Sequence, residues 1–120
     1  MSPAPSPTSA HDARACDGAL SRAFGVLGKR WNGMLLSVLG SGPAGFAELK
    51  RILGISDSML ADRLTELVRA DLVERTVDAG PPVAVSYGLT DAGTALLPAL
   101  NALGDWARTN LTEERCSGHE

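Results

Sequence analysis

The stretch from Phe46 to Arg75, FAELKRILGISDSMLADRLTELVRADLVER, constrains this chain more than any other part of it. Gly54 follows an amphipathic run and suits the left-handed residue that ends a helix, and Ser56 suits the N-cap of the next one. Before the glycine, Phe46, Leu49, Ile52 and Leu53 recur at helical spacing and are predicted to face inward. After the serine, Leu60, Leu64, Leu67 and Val68 gather on one side of a helical wheel, with Ser58, Asp62, Thr65 and Arg69 on the other. Two helices joined by a short glycine-containing turn form a helix-turn-helix, whose second helix enters the major groove of DNA. That recognition helix is predicted over about Ser56 to Ala70.

The flanks extend the motif. Leu72–Val77 and Val83–Leu89 alternate like two strands around Asp78-Ala79-Gly80-Pro81-Pro82, a hairpin placed as a wing. Upstream, Leu20, Phe24 and Leu27 mark a first helix, Gly28 breaks it, and Trp31, Leu35, Leu36, Val38 and Leu39 mark a second. Gly40, Gly42, Pro43 and Gly45 form a loop. Thr90 is the predicted N-cap of a last helix bearing Leu96, Leu97, Leu100, Leu103 and Trp106, with Pro98 expected to bend it. The expected fold is mostly α with a small β-hairpin, a winged helix-turn-helix. Residues 1–15 are predicted to be a disordered leader, 16–111 the domain, and 112–120 a polar tail.

Charge and composition narrow the function. The 120 residues suit one domain; no apolar run approaches the roughly 18 to 20 residues of a membrane span, and the N-terminus lacks the pattern of a secretory signal. The expected location is therefore the cytoplasm, with no membrane partner. A net charge of −3 and a pI near 5.3 are unusual for a DNA binder. Residues 46–76 hold five cations against six carboxylates, so affinity must come from where charges sit. No nucleophile with a base, no paired acids and no Lys in the glycine loop point to catalysis or to a cofactor. His11 and His119 have no neighbours at metal-ligand spacing, so no metal is expected.

Taken in order, these residues resemble one family. Cys16, Gly28-Lys29-Arg30-Trp31, Phe46-Ala47-Glu48-Leu49, Gly54-Ile55-Ser56, Leu60, Arg63-Leu64, Leu67, Leu72-Val73-Glu74-Arg75, Tyr87, Leu89-Thr90, Gly93 and Trp106 look like the HxlR-type winged helix-turn-helix regulators, which belong to a MarR-like superfamily. The resemblance spans about residues 16 to 110. It implies a transcription regulator, in the sense of a repressor, acting as a homodimer on a pseudo-palindromic DNA operator, with the first and last helices as the dimer interface. It also implies a cysteine sensor of oxidants or electrophiles at the Cys16 position in many members, and a small-molecule effector in others. Two departures lower phosphate contact: Ser58 stands where members often carry a cation, and the wing from Asp78 to Val85 has no basic residue. A ligand- or protein-binding module that has lost DNA affinity is the rival reading.

Each candidate residue has a bland alternative. Ser56 and Ser58 can meet bases or phosphate, or Ser56 can simply cap its helix. Asp62 can accept from cytosine N4 or only solvate the helix. Arg63 can reach phosphate or pair with Glu66 three residues on; the resemblance favours phosphate. Lys50 and Arg51 are phosphate candidates or a solvated basic end, and Arg75 can reach the DNA backbone or pack its stem on the wing. Arg22, Lys29 and Arg30 are further anchors if the motif alone grips weakly. Cys16, with Arg14 beside it, has a lowered thiol pKa if it starts a helix, though Asp17 opposes this; otherwise it is a small buried hydrophobe. Phe24, Trp31 and Trp106 are core or interface anchors, or the walls of a dimer pocket for a small aromatic ligand.

Overall fold

The computed structural model describes residues 18–111. The leader 1–15, Cys16 and the tail 112–120 lie outside the described residues. Residues 18–27 are helical (α1), followed by α2 (Asn32–Leu39), α3 (Phe46–Leu53), α4 (Asp57–Arg69), β1 (Val73–Asp78), β2 (Ala84–Leu89) and α5 (Asp91–Asn110). This is a winged helix-turn-helix. No helix among the described residues is long and apolar enough to cross a membrane.

One leucine cluster holds α2, α3, α4 and the wing together. Leu35, Leu36 and Leu39 of α2, Leu49 of α3, Leu60, Leu64 and Leu67 of α4 and Val73 of β1 are all at most 2% exposed. Each such burial stabilises the fold by roughly 1.5–3 kcal/mol before the cost of ordering the chain. Two residues predicted to join this face do not. Ile52 is 50% exposed on the outer side of α3, beside Val38 and Pro43. Val68, 38% exposed, sits about a quarter-turn from the line of Leu60, Leu64 and Leu67, so it flanks the core instead of entering it.

The helix boundaries follow from local hydrogen bonding. Gly54 is left-handed (φ 68°) and its N–H donates to the Lys50 carbonyl at 2.8 Å, which closes α3. Ser56 Oγ accepts from the Met59 N–H at 3.2 Å, which opens α4. At the other end of α4, the Asp71 N–H reaches Val68 O and the Leu72 N–H reaches Leu67 O, both at 3.0 Å. This paired closure places Asp71 in the left-handed region at φ 63°. Thr90 Oγ1 then donates to the Asp71 carbonyl at 2.7 Å and accepts from the Gly93 N–H at 3.1 Å, tying the end of α4 to the start of α5. Gly93 has no room for more: a Cβ there would lie 2.2 Å from the Leu72 carbonyl oxygen.

Trp31 departs from expectation. It was predicted as the first residue of the second helix, but it precedes α2 in a left-handed conformation, φ 81°. A bulky residue in this left-handed region is strained.

The hairpin strand begins one residue later than predicted, at Val73, because the Leu72 N–H closes α4 while only its carbonyl joins the hairpin, accepting from the Thr90 N–H at 3.1 Å. Its register sets Val73 against Leu89, Arg75 against Tyr87 and Val77 against Val85. Ala44 adds an unforeseen bridge, exchanging backbone hydrogen bonds of 2.9 and 2.8 Å with Tyr87. The loop between α2 and α3 is thereby fastened to the wing. The last helix continues through Pro98 as twenty residues.

Candidate nucleic-acid interface

The face that could meet DNA is built on α4. With its leucines buried, α4 turns Ser58, Asp62, Thr65 and Arg69 outward, all exposed, as the wheel predicted. Ser56 serves the cap, and its hydroxyl lies 3.4 Å from that of Ser58. The bland reading of Ser56 is thus realised, and it leaves the hydroxyl exposed at the entry of the helix.

Several cations in this region are occupied by carboxylates of the chain itself. Lys50 Nζ lies 2.8 Å from Asp57 Oδ1, across the turn from α3 to α4. Arg63 bonds the Asp62 carboxylate and lies 3.3 Å from Glu66 Oε1, with its side chain only 15% exposed. This geometry favours the intrahelical reading of Arg63 over the phosphate reading. Lys29 Nζ meets Glu66 Oε2 at 2.8 Å, and Arg30 stacks over the Trp31 ring at 4.9 Å. Among the described residues, Arg22, Arg51, Arg69 and Arg75 enter no ion pair.

The hydrogen bond and charge of Arg63 hold the Asp62 carboxyl below its usual range, assisted by Lys29 and Arg69. Glu66 is also lowered, first by its hydrogen bond with Lys29, against the opposing effect of burial; Asn32 and Arg63 add to the lowering. Glu66 belongs to a partly buried polar junction. Asn32 is fully buried, and its Nδ2 donates to Val26 O at 2.7 Å and to Glu66 Oε1 at 3.4 Å. One amide therefore joins the end of α1 to the recognition helix.

Strand alternation sorts the charges of the wing. Arg75 shares a sheet face with Val73, Val77 and Tyr87, and Tyr87 lies beside Ala61, Thr65 and Val68 of α4. Glu74 falls on the opposite face, beside Gly42, Ser86 and Thr94. The wing thus offers its cation on the α4 side and its carboxylate away from it. Sequence reasoning counted these charges but did not separate them. It also left Ala61, Thr65 and Arg69 out of the candidate site, although the helical wheel already placed Thr65 and Arg69 outward.

The proposed aromatic pocket is not assembled within one chain. Trp31 borders a hollow of about 430 Å³ with Leu27, Met34, Leu100 and Leu103, whereas Phe24 and Trp106 stand 54% and 52% exposed outside it. A second, more apolar hollow of about 350 Å³ lies between α1 and the first half of α5, lined by Ala23, Val26, Leu72, Ala92 and Ala95. Its alanines carry no chemical signal, so periodicity alone gave no reason to single them out. Among the described residues no three of His, Cys, Asp and Glu are grouped to hold a metal ion.

An exposed second helix on a leucine core, followed by a two-stranded wing, defines the winged-helix class of DNA-binding regulators. The sequence model of the HxlR-like helix-turn-helix family matches residues 26–115, and the chain belongs to that family of transcriptional regulators. The HTH-type transcriptional regulator YodB of Bacillus subtilis (strain 168) is 45% identical over 89 residues, covering 73% of this chain and 80% of YodB. The crystal structure of quinone-bound YodB superposes with a TM-score of 0.67 at 41% identity, over 76% of this chain and 96% of that one. The redox regulator HypR in its oxidised form gives a TM-score of 0.72 at 30% identity, over 76% of this chain and 95% of that one.

Proposed function

We propose that this regulator acts as a homodimer on a pseudo-palindromic operator, as a repressor released by an oxidant, an electrophile or a small ligand. The observation that carries the reading is the shared orientation of α4 and the wing: exposed Ser58, Thr65 and Arg69 stand on the side where Arg75 is offered, and Glu74 is turned away. Arg51 joins them as a phosphate contact, and Lys50, paired with Asp57, is a weaker one. The homodimer is supported by the exposed apolar stripe of Leu20 and Phe24 on α1 and Leu103 and Trp106 on α5. The oxidant reading is supported by the quinone-bound and oxidised states in which YodB and HypR have been captured. In this chain the thiol proposed for it is Cys16.

Gel-shift titration on the promoter of the chain's own operon, repeated over a series of salt concentrations, tests the reading. Arg51→Ala and Arg75→Ala are each expected to lower the salt slope by about one, and Arg63→Ala to leave it unchanged. Cys16→Ser is expected to bind DNA normally and to ignore an oxidant that releases the parent protein. The acidic balance and the cation-free wing tip favour a second reading, a binding module without DNA affinity. Absence of a shift at micromolar protein would favour that alternative.

A further inference from the structure

The outward face of α4 has its one carboxylate occupied from within. Asp62 is bonded by Arg63, its neighbour in sequence, and stays ionised in the field of Arg69 and Lys29. Arg63 occupies Oδ2 of this carboxylate, so a cytosine amine must share Asp62 with a cation already bonded to it. Exposed groups on and beside this face include Ser58, Ala61, Thr65 and Arg69. Ala61 and Thr65 lie four residues apart, so their methyl groups stand on one side of the helix. They border a shallow hollow of about 240 Å³ walled by Phe46, Val68 and Tyr87, so a methyl group pressed there meets carbon on several sides.

In the major groove the C5-methyl of thymine is the apolar mark of a T·A pair, and alanine and threonine methyls are suited to pack on it. We propose that Ala61 and Thr65 read thymine methyl groups, so that the recognition helix selects T·A pairs within each half-site and does not select cytosine through Asp62. The inference rests on the DNA-binding reading above. It adds which residues carry sequence preference and what chemical group they detect. Each methyl contact discriminates modestly, which fits a face with few hydrogen-bond donors.

The test starts from duplexes selected out of a random pool by the full chain. In the selected site dT is replaced by dU one position at a time, a change that keeps the base pair and removes only the methyl. Loss of about fourfold in affinity is expected at one or two positions of each half-site, the worth of one buried methyl. Thr65→Ser should bind dT and dU equally at one of these positions, and Ala61→Ser at another, each with the thermal midpoint of the parent. Asp62→Asn should select the same sequence as the parent. Equal binding of all dU duplexes by the parent would overturn the proposal, as would full dU sensitivity in both variants or a new base preference in Asp62→Asn. Failure to enrich any duplex would sink the DNA-binding reading itself, and this inference with it.

Discussion

The core of α2, α3 and α4 and the flanking pair α1 and α5 use the same residue types to opposite ends. In the core, Leu35, Leu36, Leu49, Leu60 and Leu67 are fully buried by one another within a single chain. On the flanks, Leu20, Phe24, Leu103 and Trp106 leave half or more of their surface in solvent. The difference shows that the part bearing the recognition helix completes itself, whereas the flanking helices present apolar surface that nothing among the described residues covers. In the proposed homodimer a second copy would supply the matching surface, which is why the dimer contact is proposed on the flanks and the DNA contact on the core.

The largest effect should come from the self-contained half. Leu60→Ala, at a site with no exposed surface, is expected to cost about 2–5 kcal/mol in urea unfolding, from lost transfer energy and the cavity left behind. Trp106→Ala should leave that core intact yet weaken self-association at least tenfold, or about 1.4 kcal/mol or more, by sedimentation over a concentration series. If Trp106→Ala instead unfolded the monomer as readily as Leu60→Ala, the contrast between the two regions would fail. Ser56→Ala removes the acceptor for Met59 N–H and should cost about 1 kcal/mol in the same unfolding assay, without changing the dimer.

The smallest effect concerns pH. Glu66 titrates below its ordinary value of 4.5 in the folded chain, so its ion pair contributes stability that is fully present above that value. The contribution is lost as pH falls through the lower folded value. The parent should therefore lose stability on acidification below about pH 4.5 more steeply than Glu66→Gln, by thermal unfolding across a pH series. Parallel curves for the two proteins would show that the Lys29–Glu66 pair is energetically silent.

Much of this architecture was legible in the residues, and the failures have physical causes. Gly54, Ser56 and Thr90 were readable because capping is a local bargain between one side chain and a few backbone groups. Leu60, Leu64 and Leu67 were readable because a long helix averages over its wheel; Ile52, on the eight-residue α3, was misplaced because over two turns a step of one residue, about 100°, decides the side. The left-handed Trp31 depends on how α1 and α2 meet, which no local pattern records. The candidate site was less legible. The Asp62–Arg63 bond joins adjacent residues, a spacing at which helical side chains normally diverge, so only Glu66 was considered as a partner. The burial of Asn32 had no signal in its neighbours, since the groups that satisfy its amide nitrogen come from Val26 and from Glu66, thirty-four residues away.

That single amide has a mechanical meaning. Val26 lies at the end of α1 and Glu66 on α4, and both hang on Nδ2 of Asn32 at the first residue of α2. The first helix and the recognition helix therefore share one anchor point, held closely toward α1 at 2.7 Å and more loosely toward α4 at 3.4 Å. A second subunit pressing on α1 would have its hand on the same axle that aims the reading helix.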